Sequence, residues 1–188
     1  YTLTQADVGK AITVSVSYTD GQGTAESLTS VATASVSSVN DAPNLTTSAA
    51  LSTDEDTASS AIAFSATDVD GDTLTYSFSP PSKGSVTNNG NSTYTFTPAA
   101  HENGSDSFTV TVNDGTDSVS QTVDVTINAV NDAPVLTISA TLSTDEDTAS
   151  SAIAFSATDV DGDNLTYSFS NPSKGSVTNN GNGTYTYT

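Results

Sequence analysis

One heptapeptide, "ATDVDGD", occupies residues 66–72 and returns unchanged at 157–163. Each copy sets carboxylates at alternating positions, Asp68, Asp70 and Asp72, then Asp159, Asp161 and Asp163, with no basic residue in the stretch. Like charges this close repel, and a cation held among them reverses the sign of the interaction. Hard oxygen ligands of this kind suit Ca²⁺, which takes roughly six to eight oxygens in flexible geometry, better than Mg²⁺, which keeps waters and uses few carboxylates. Zinc favours His and Cys, and the chain has one His and no Cys. Side chains at i and i+2 of an extended loop can share one side, and Gly71 lets the backbone turn between the acids.

Other loops carry further acids. "NDAP" supplies Asn40 with Asp41, and Asn131 with Asp132. Asp54, Glu55 and Asp56 run together, Glu102 follows the single histidine His101, and Asp114 follows Asn113 in a turn. Two other calcium motifs are absent. "DVDGDTLTYSFS" has its Gly two positions early for an EF-hand and ends on Ser79 where that loop needs Glu. The glycine-rich nonapeptide of β-rolls does not occur.

Composition narrows the function classes. The 188 residues hold three Lys, no Arg and 22 acids, a net charge of -19. That balance excludes nucleic acid and anionic membranes as partners, because both require a basic surface. No apolar run is long enough to insert in a membrane. His101 stands without a Ser or Cys nucleophile set, so an enzyme is not expected.

The elements that position the acids come in repeats. Residues 40–97 and 131–188 differ at only seven positions, so the chain holds one complete repeat and the first part of another. Residues 1–39 align with the end of a repeat, "YTLTQADVGK" lying over the stretch that begins at Tyr94. The expected domains are 1–39 (a C-terminal part), 43–130 (complete) and 134–188 (an N-terminal part), as in a window on a longer tandem array. Neither partial domain is expected to fold alone, because each lacks strands that would cover its apolar face.

Apolar residues alternate along the complete repeat: Ile62, Phe64, Ala66; Leu74, Tyr76, Phe78; Phe108, Val110, Val112; Val123, Val125, Ile127. Period two with Gly, Pro and Asn-Gly punctuation predicts seven strands, near 44–51, 59–66, 74–79, 84–87, 92–97, 106–112 and 117–127. The fold class is therefore all-β, tandem antiparallel Greek-key sandwiches. Successive loops of such a sandwich alternate between its ends. That places 68–72 and 113–114 beside the preceding linker, and 54–56 and 101–103 beside the following one.

"VNDAP" with "DVDGD" makes residues 40–188 resemble a cadherin-like tandem repeat of giant bacterial surface proteins, while "ADVGKAITVSVSYTDGQG" in 1–39 looks like a bacterial Ig-like relative. The resemblance implies calcium at interdomain junctions, with Glu55, Glu102, Asn131, Asp132, Asp159 and Asp161 as matching ligands. It also implies an extracellular adhesin or biofilm protein on the bacterial cell surface. Its partners would be neighbouring repeats of the same chain, with polysaccharide or like chains on other cells as the alternative. The candidate metal ligands are thus Asn40, Asp41, Glu55, Asp56, Asp68, Asp70, Asp72, Glu102, Asp114, Asn131, Asp132, Asp159, Asp161 and Asp163.

Overall fold

A computed structural model describes residues 1–138 and 141–188. They form two compact units, Tyr1–Asn128 and Ala129–Thr188. Its regular structure is almost entirely β, and among the described residues no helix is long and apolar enough to cross a membrane.

The first unit opens with a short 3₁₀ turn at Gln5–Asp7, which the period-two reading did not anticipate. Thr4 and Asp7 cap it reciprocally, so a local side-chain exchange stabilises it where no hydrophobic period exists. A hairpin of β1 (Ser15–Thr19) and β2 (Ala25–Thr29) follows. Next comes the complete sandwich: β3 (Asn44–Thr47), β4 (Ala50–Asp54), β5 (Ile62–Thr67), β6 (Thr75–Phe78), β7 (Gly84–Asn88), β8 (Thr93–Pro98), β9 (Gly104–Asn113) and β10 (Ser118–Asn128).

Its sheets are ordered β3-β5-β8-β7 and β4-β10-β9-β6. Hairpins join β7 to β8 and β9 to β10, and the connections β5–β6, β6–β7 and β8–β9 pass between the sheets, which is Greek-key wiring. The strand expected over 44–51 is two strands. The chain steps at Ser48–Ala49 from one sheet to the other, so β3 pairs antiparallel with β5 and β4 pairs parallel with β10. Leu45 and Leu51 both pack on the core. They are an even number of residues apart, so alternation continues across the break and conceals it.

The inward positions of both sheets meet in one cluster. Phe64, Tyr94, Phe96, Phe108, Val110, Val123, Val125 and Ile127 are buried, with Tyr76, Phe78 and Ile62 packed against them. Six aromatic rings carry much of this volume. Tyr94 meets Phe108 edge-on at 5.4 Å, and Phe64 lies 4.7 Å from Tyr76 and 5.8 Å from Phe78. Such pairs contribute about 0.5–1.5 kcal/mol each beyond the area they bury. The rings give a small domain a core despite its many Ala, Ser and Thr.

The second unit contains β11 (Val135–Ile138), β12 (Ile153–Thr158), β13 (Val177–Asn179) and β14 (Thr184–Tyr187), in the order β11-β12-β14-β13. This repeats the first sheet of the complete sandwich. Residues 141–145 and 166–169, at the positions of β4 and β6, carry no strand. In the first unit those strands hydrogen-bond to β10 and β9, which have no counterpart among the described residues of 129–188.

Phe108 lies at the centre of the ring cluster, 2 % exposed. Phe108→Ala is expected to cost about 3–5 kcal/mol, a large part of the ~5–15 kcal/mol typical of a domain. Denaturant unfolding of the chain followed by tyrosine fluorescence measures it; a loss under ~1 kcal/mol contradicts this account of the core.

Candidate metal centre

The loop after β5 is not extended. It bends at Val69–Asp70 and wraps around the Asp68 side chain. Asp68 Oδ1 accepts the backbone N–H groups of Asp70 at 2.9 Å, Gly71 at 3.0 Å and Asp72 at 3.2 Å. Gly71 sits at φ +83°, a region that residues with a Cβ rarely adopt, so the bend requires glycine there. The bend gathers what an extended loop was expected to gather. Asp68, Asp70 and Asp72 each bring one carboxylate oxygen within 4.8 Å of the others. Asp68 Oδ2 is buried and has no hydrogen-bond partner. A buried oxygen left bare in this way is costly unless something positive meets it.

The linker is tied to the same loop. Asp70 Oδ2 accepts the Asp41 N–H at 2.8 Å, and its Oδ1 accepts Ser38 Oγ–H at 2.9 Å and Gln5 Nε2–H at 2.7 Å. Asn40 Nδ2 donates to Asp114 Oδ2 at 3.1 Å and to Asp117 Oδ2 at 2.9 Å. Asp114 Oδ1 in turn accepts the N–H groups of Asp117 and Thr116 and closes the β9–β10 turn. A carboxylate has about four lone-pair sites, so these groups keep acceptor capacity.

These bonds hold two carboxyls below their ordinary range. For Asp70 the Asp41 N–H is the main cause, followed by the Ser38 hydroxyl; burial and the neighbouring Asp114 charge oppose them. For Asp114 the Asp117 N–H leads, then the Thr116 N–H. Asn40, Asp41, Asp68, Asp70, Asp72 and Asp114 are thus assembled around one linker. The residues are chemically fit for Ca²⁺: three carboxylates with an oxygen each within 4.8 Å, no thiol or imidazole among them, and one buried oxygen without a hydrogen bond.

At the other end of the sandwich, Asp56 and His101 come together. Asp56 Oδ1 accepts the His101 N–H at 3.0 Å, and Asp56 Oδ2 lies 3.4 Å from His101 Nδ1. Glu55 is 2 % exposed, and its N–H donates to the Asn128 carbonyl at 2.9 Å. Glu102 is exposed, and its N–H donates to the Ala99 carbonyl. Asp106 turns away to the 82–83 turn, accepting from Ser82 and Lys83.

The second unit repeats part of the loop geometry, but its three aspartates are not among the groups of acids that the described residues bring within 4.8 Å. Asp132 N–H donates to Asp161 Oδ2 at 2.6 Å, and Asp159 Oδ1 accepts from Asp161 and Asp163. Asn131 Nδ2 donates to the Asp132 carbonyl.

Sequence reasoning did not find Gln5, Ser38 or Asp117. Gln5 and Ser38 reach Asp70 across 65 and 32 residues, a pairing no local pattern encodes. Asp117 had a local signal, since it follows the Asn113–Gly115 turn that places Asp114.

Comparison with known proteins adds relatives. The sequence pattern of the family described as "Cadherin-like domain" matches residues 39–128 and 130–188. Chitinase A of Pseudoalteromonas piscicida is 38% identical over 112 residues, 58% of this chain and 14% of that protein. The chain therefore spans a small part of that relative. Among solved structures, the endo-fucoidan hydrolase MfFcnA4 of glycoside hydrolase family 107 aligns over 95% of this chain and 29% of its own, with 17% identity and a TM-score of 0.41. Domains 4–9 of the surface layer protein SbsC align over 95% and 31%, with 16% identity and a TM-score of 0.34. The bacterial integrin-binding protein invasin aligns over 95% and 46%, with 20% identity and a TM-score of 0.28.

Because the Asp70 and Asp114 carboxyls are held low in the folded chain, their stabilisation is complete above the ordinary carboxylate value of 3.8. It is lost as pH falls through their lower folded values. In chelator, the melting temperature should stay level above about pH 5 and fall below about pH 4. Asp70→Asn should shrink that acid-limb fall. An Asp70→Asn chain with the same acid limb would show that the linker bonds do not contribute.

Proposed function

The chain belongs to the cadherin-like domain family, and from that premise we propose that it is a calcium-stiffened spacer of a large extracellular adhesin or biofilm protein. The observation that carries this reading is the Asp68, Asp70 and Asp72 cluster, three oxygens within 4.8 Å, with Asp68 Oδ2 buried and bare. Two carboxylates at about that separation repel by ~1 kcal/mol in water and ~3 kcal/mol at an effective dielectric of ~20. Calcium supplies a double positive charge that turns this repulsion into attraction.

The linker residues explain why such an ion would stiffen the chain. Ser38 and Asp41 already bond to Asp70, and Asn40 to Asp114 and Asp117. Any charge that fixes the Asp68 loop also fixes the segment bonded to it. Pro43 is buried, fixes its own φ and keeps Ala42 extended. The second linker repeats one bond of this set, Asp132 N–H to Asp161, and the near-identity of the repeats extends the same proposed role to each "VNDAP" linker of an array.

A second reading is a calcium-dependent ligand-binding module for polysaccharide. Identity to a segment of a chitinase favours it, since such a module would work beside carbohydrate. The absence of Trp and the near-identity of successive repeats favour the spacer.

Extracellular modules bind calcium at roughly 10⁻⁴–10⁻³ M, so a tenfold excess over Kd should stabilise each site by about 1.4 kcal/mol. Melting this chain in several millimolar calcium and in EGTA measures the effect. The first unit should melt several degrees higher in calcium, and Asp68→Asn with Asp70→Asn should remove most of the shift. An unchanged melting temperature overturns the calcium reading. Saturable calorimetric binding to chitin fragments would favour the second reading over the spacer.

A further inference from the structure

We propose that copies of this chain join head to tail, the β1–β2 hairpin of one copy covering the open apolar face of residues 129–188 of the next. Two matching half-cores carry the inference.

The hairpin is the first. Residues 12–21, "ITVSVSYTDG", align with 106–115, "DSFTVTVNDG". Val14, Val16 and Tyr18 therefore stand where Phe108, Val110 and Val112 are buried in the complete sandwich, yet they are 59–69 % exposed. Leu28 lies directly opposite Val16, so it shares that face, and it is exposed too. Among the described residues β1 and β2 form a sheet of two strands only, and such a hairpin is marginally stable in water.

Residues 129–188 hold the second. Leu136, Leu142 and Tyr167 occupy the positions of Leu45, Leu51 and Tyr76, which pack on the core of the complete sandwich. Here all three are exposed, although Phe155 already gathers the rings of Tyr167, Phe169 and Tyr185 beside them. The cover that fits this face is a hairpin of the β9–β10 pattern. The chain's β9–β10 is engaged in its own sandwich, and β1–β2 is not.

Register and turn chemistry agree. Tyr76 lies opposite Val112 and Phe78 opposite Val110, so Tyr167 should meet Tyr18 and Phe169 should meet Val16. The larger Tyr18 offsets the smaller Val14, which keeps the core volume. Asp20 Oδ1 accepts the N–H groups of Gln22 and Thr24, as Asp114 Oδ1 accepts those of Thr116 and Asp117. Asn40 donates to Asp114 in the complete sandwich, and docking brings the neighbouring copy's Asp20 to Asn131, the counterpart of Asn40.

Burying the seven exposed side chains removes about 700 Å² of apolar surface. That is more than half of the ~1,200 Å² at which specific interfaces begin, and the backbone and small side chains of the two strands add to it. The contact joins two different patches, so each copy added leaves a donor and an acceptor free, and assembly continues past the dimer. Both patches belong to acidic segments, so salt should strengthen the contact.

Light scattering of the intact chain over about a hundredfold range of concentration, at low and high salt, tests this. The mass should rise past two chains with concentration, and further in salt. Val16→Asp places a charge on the donor face and Tyr167→Asp on the acceptor face, and each alone should weaken assembly more than about tenfold. Mixed, the two variants should form dimers and stop there, because one keeps its acceptor and the other its donor. Neither residue belongs to the complete sandwich, whose denaturant unfolding should be unchanged and reports that each variant is folded. A chain that stays single at every concentration, self-association that survives Val16→Asp, or a mixture that stays monomeric overturns the proposal.

Discussion

Mutual repulsion of carboxylates is the constraint on which this structure turns. Asp68, Asp70 and Asp72 lie within 4.8 Å of one another. The chain partly satisfies them from within: three backbone N–H groups point at Asp68 Oδ1, and three donors from distant segments converge on Asp70. What remains is Asp68 Oδ2, buried without a hydrogen bond. A loop built this way is stable when an added positive charge completes it, and the proposed function follows from that incompleteness.

The sandwich serves the loop. The aromatic core fixes β5 and β9, and the turns that leave those strands carry Asp68–Asp72 and Asp114 to the same linker. Small side chains elsewhere in the core keep the domain slight. The ends of the domain are where its unsatisfied charge lies, and the proposed calcium role rests on that. The first linker shows how: Ser38, Asn40 and Asp41 bond directly to groups whose charge the ion would balance.

Much of this was legible in the amino-acid sequence, for identifiable reasons. Phe108, Val110 and Val112 alternate because one face of β9 is buried, and period two reports that face directly. The acids of one loop are neighbours in sequence, so their convergence could be read without a fold. The break in the first strand was not legible, because Leu45 and Leu51 keep the same parity on both sides of it. Nor was the bend around Asp68, which depends on one oxygen collecting three N–H groups. Gln5 and Ser38 were hidden for a different reason: their bonds to Asp70 span sequence distances that only the folded chain closes.

The central claim is that the Asp68 loop holds calcium, and locating the ion tests it most directly. Crystals of this chain grown with calcium well above the roughly 10⁻⁴–10⁻³ M expected for extracellular modules would be measured for anomalous scattering. The account predicts a peak bounded by Asp68, Asp70 and Asp72, with Asp68 Oδ2 among its ligands. A well-ordered loop with no peak there, at that concentration, would contradict it.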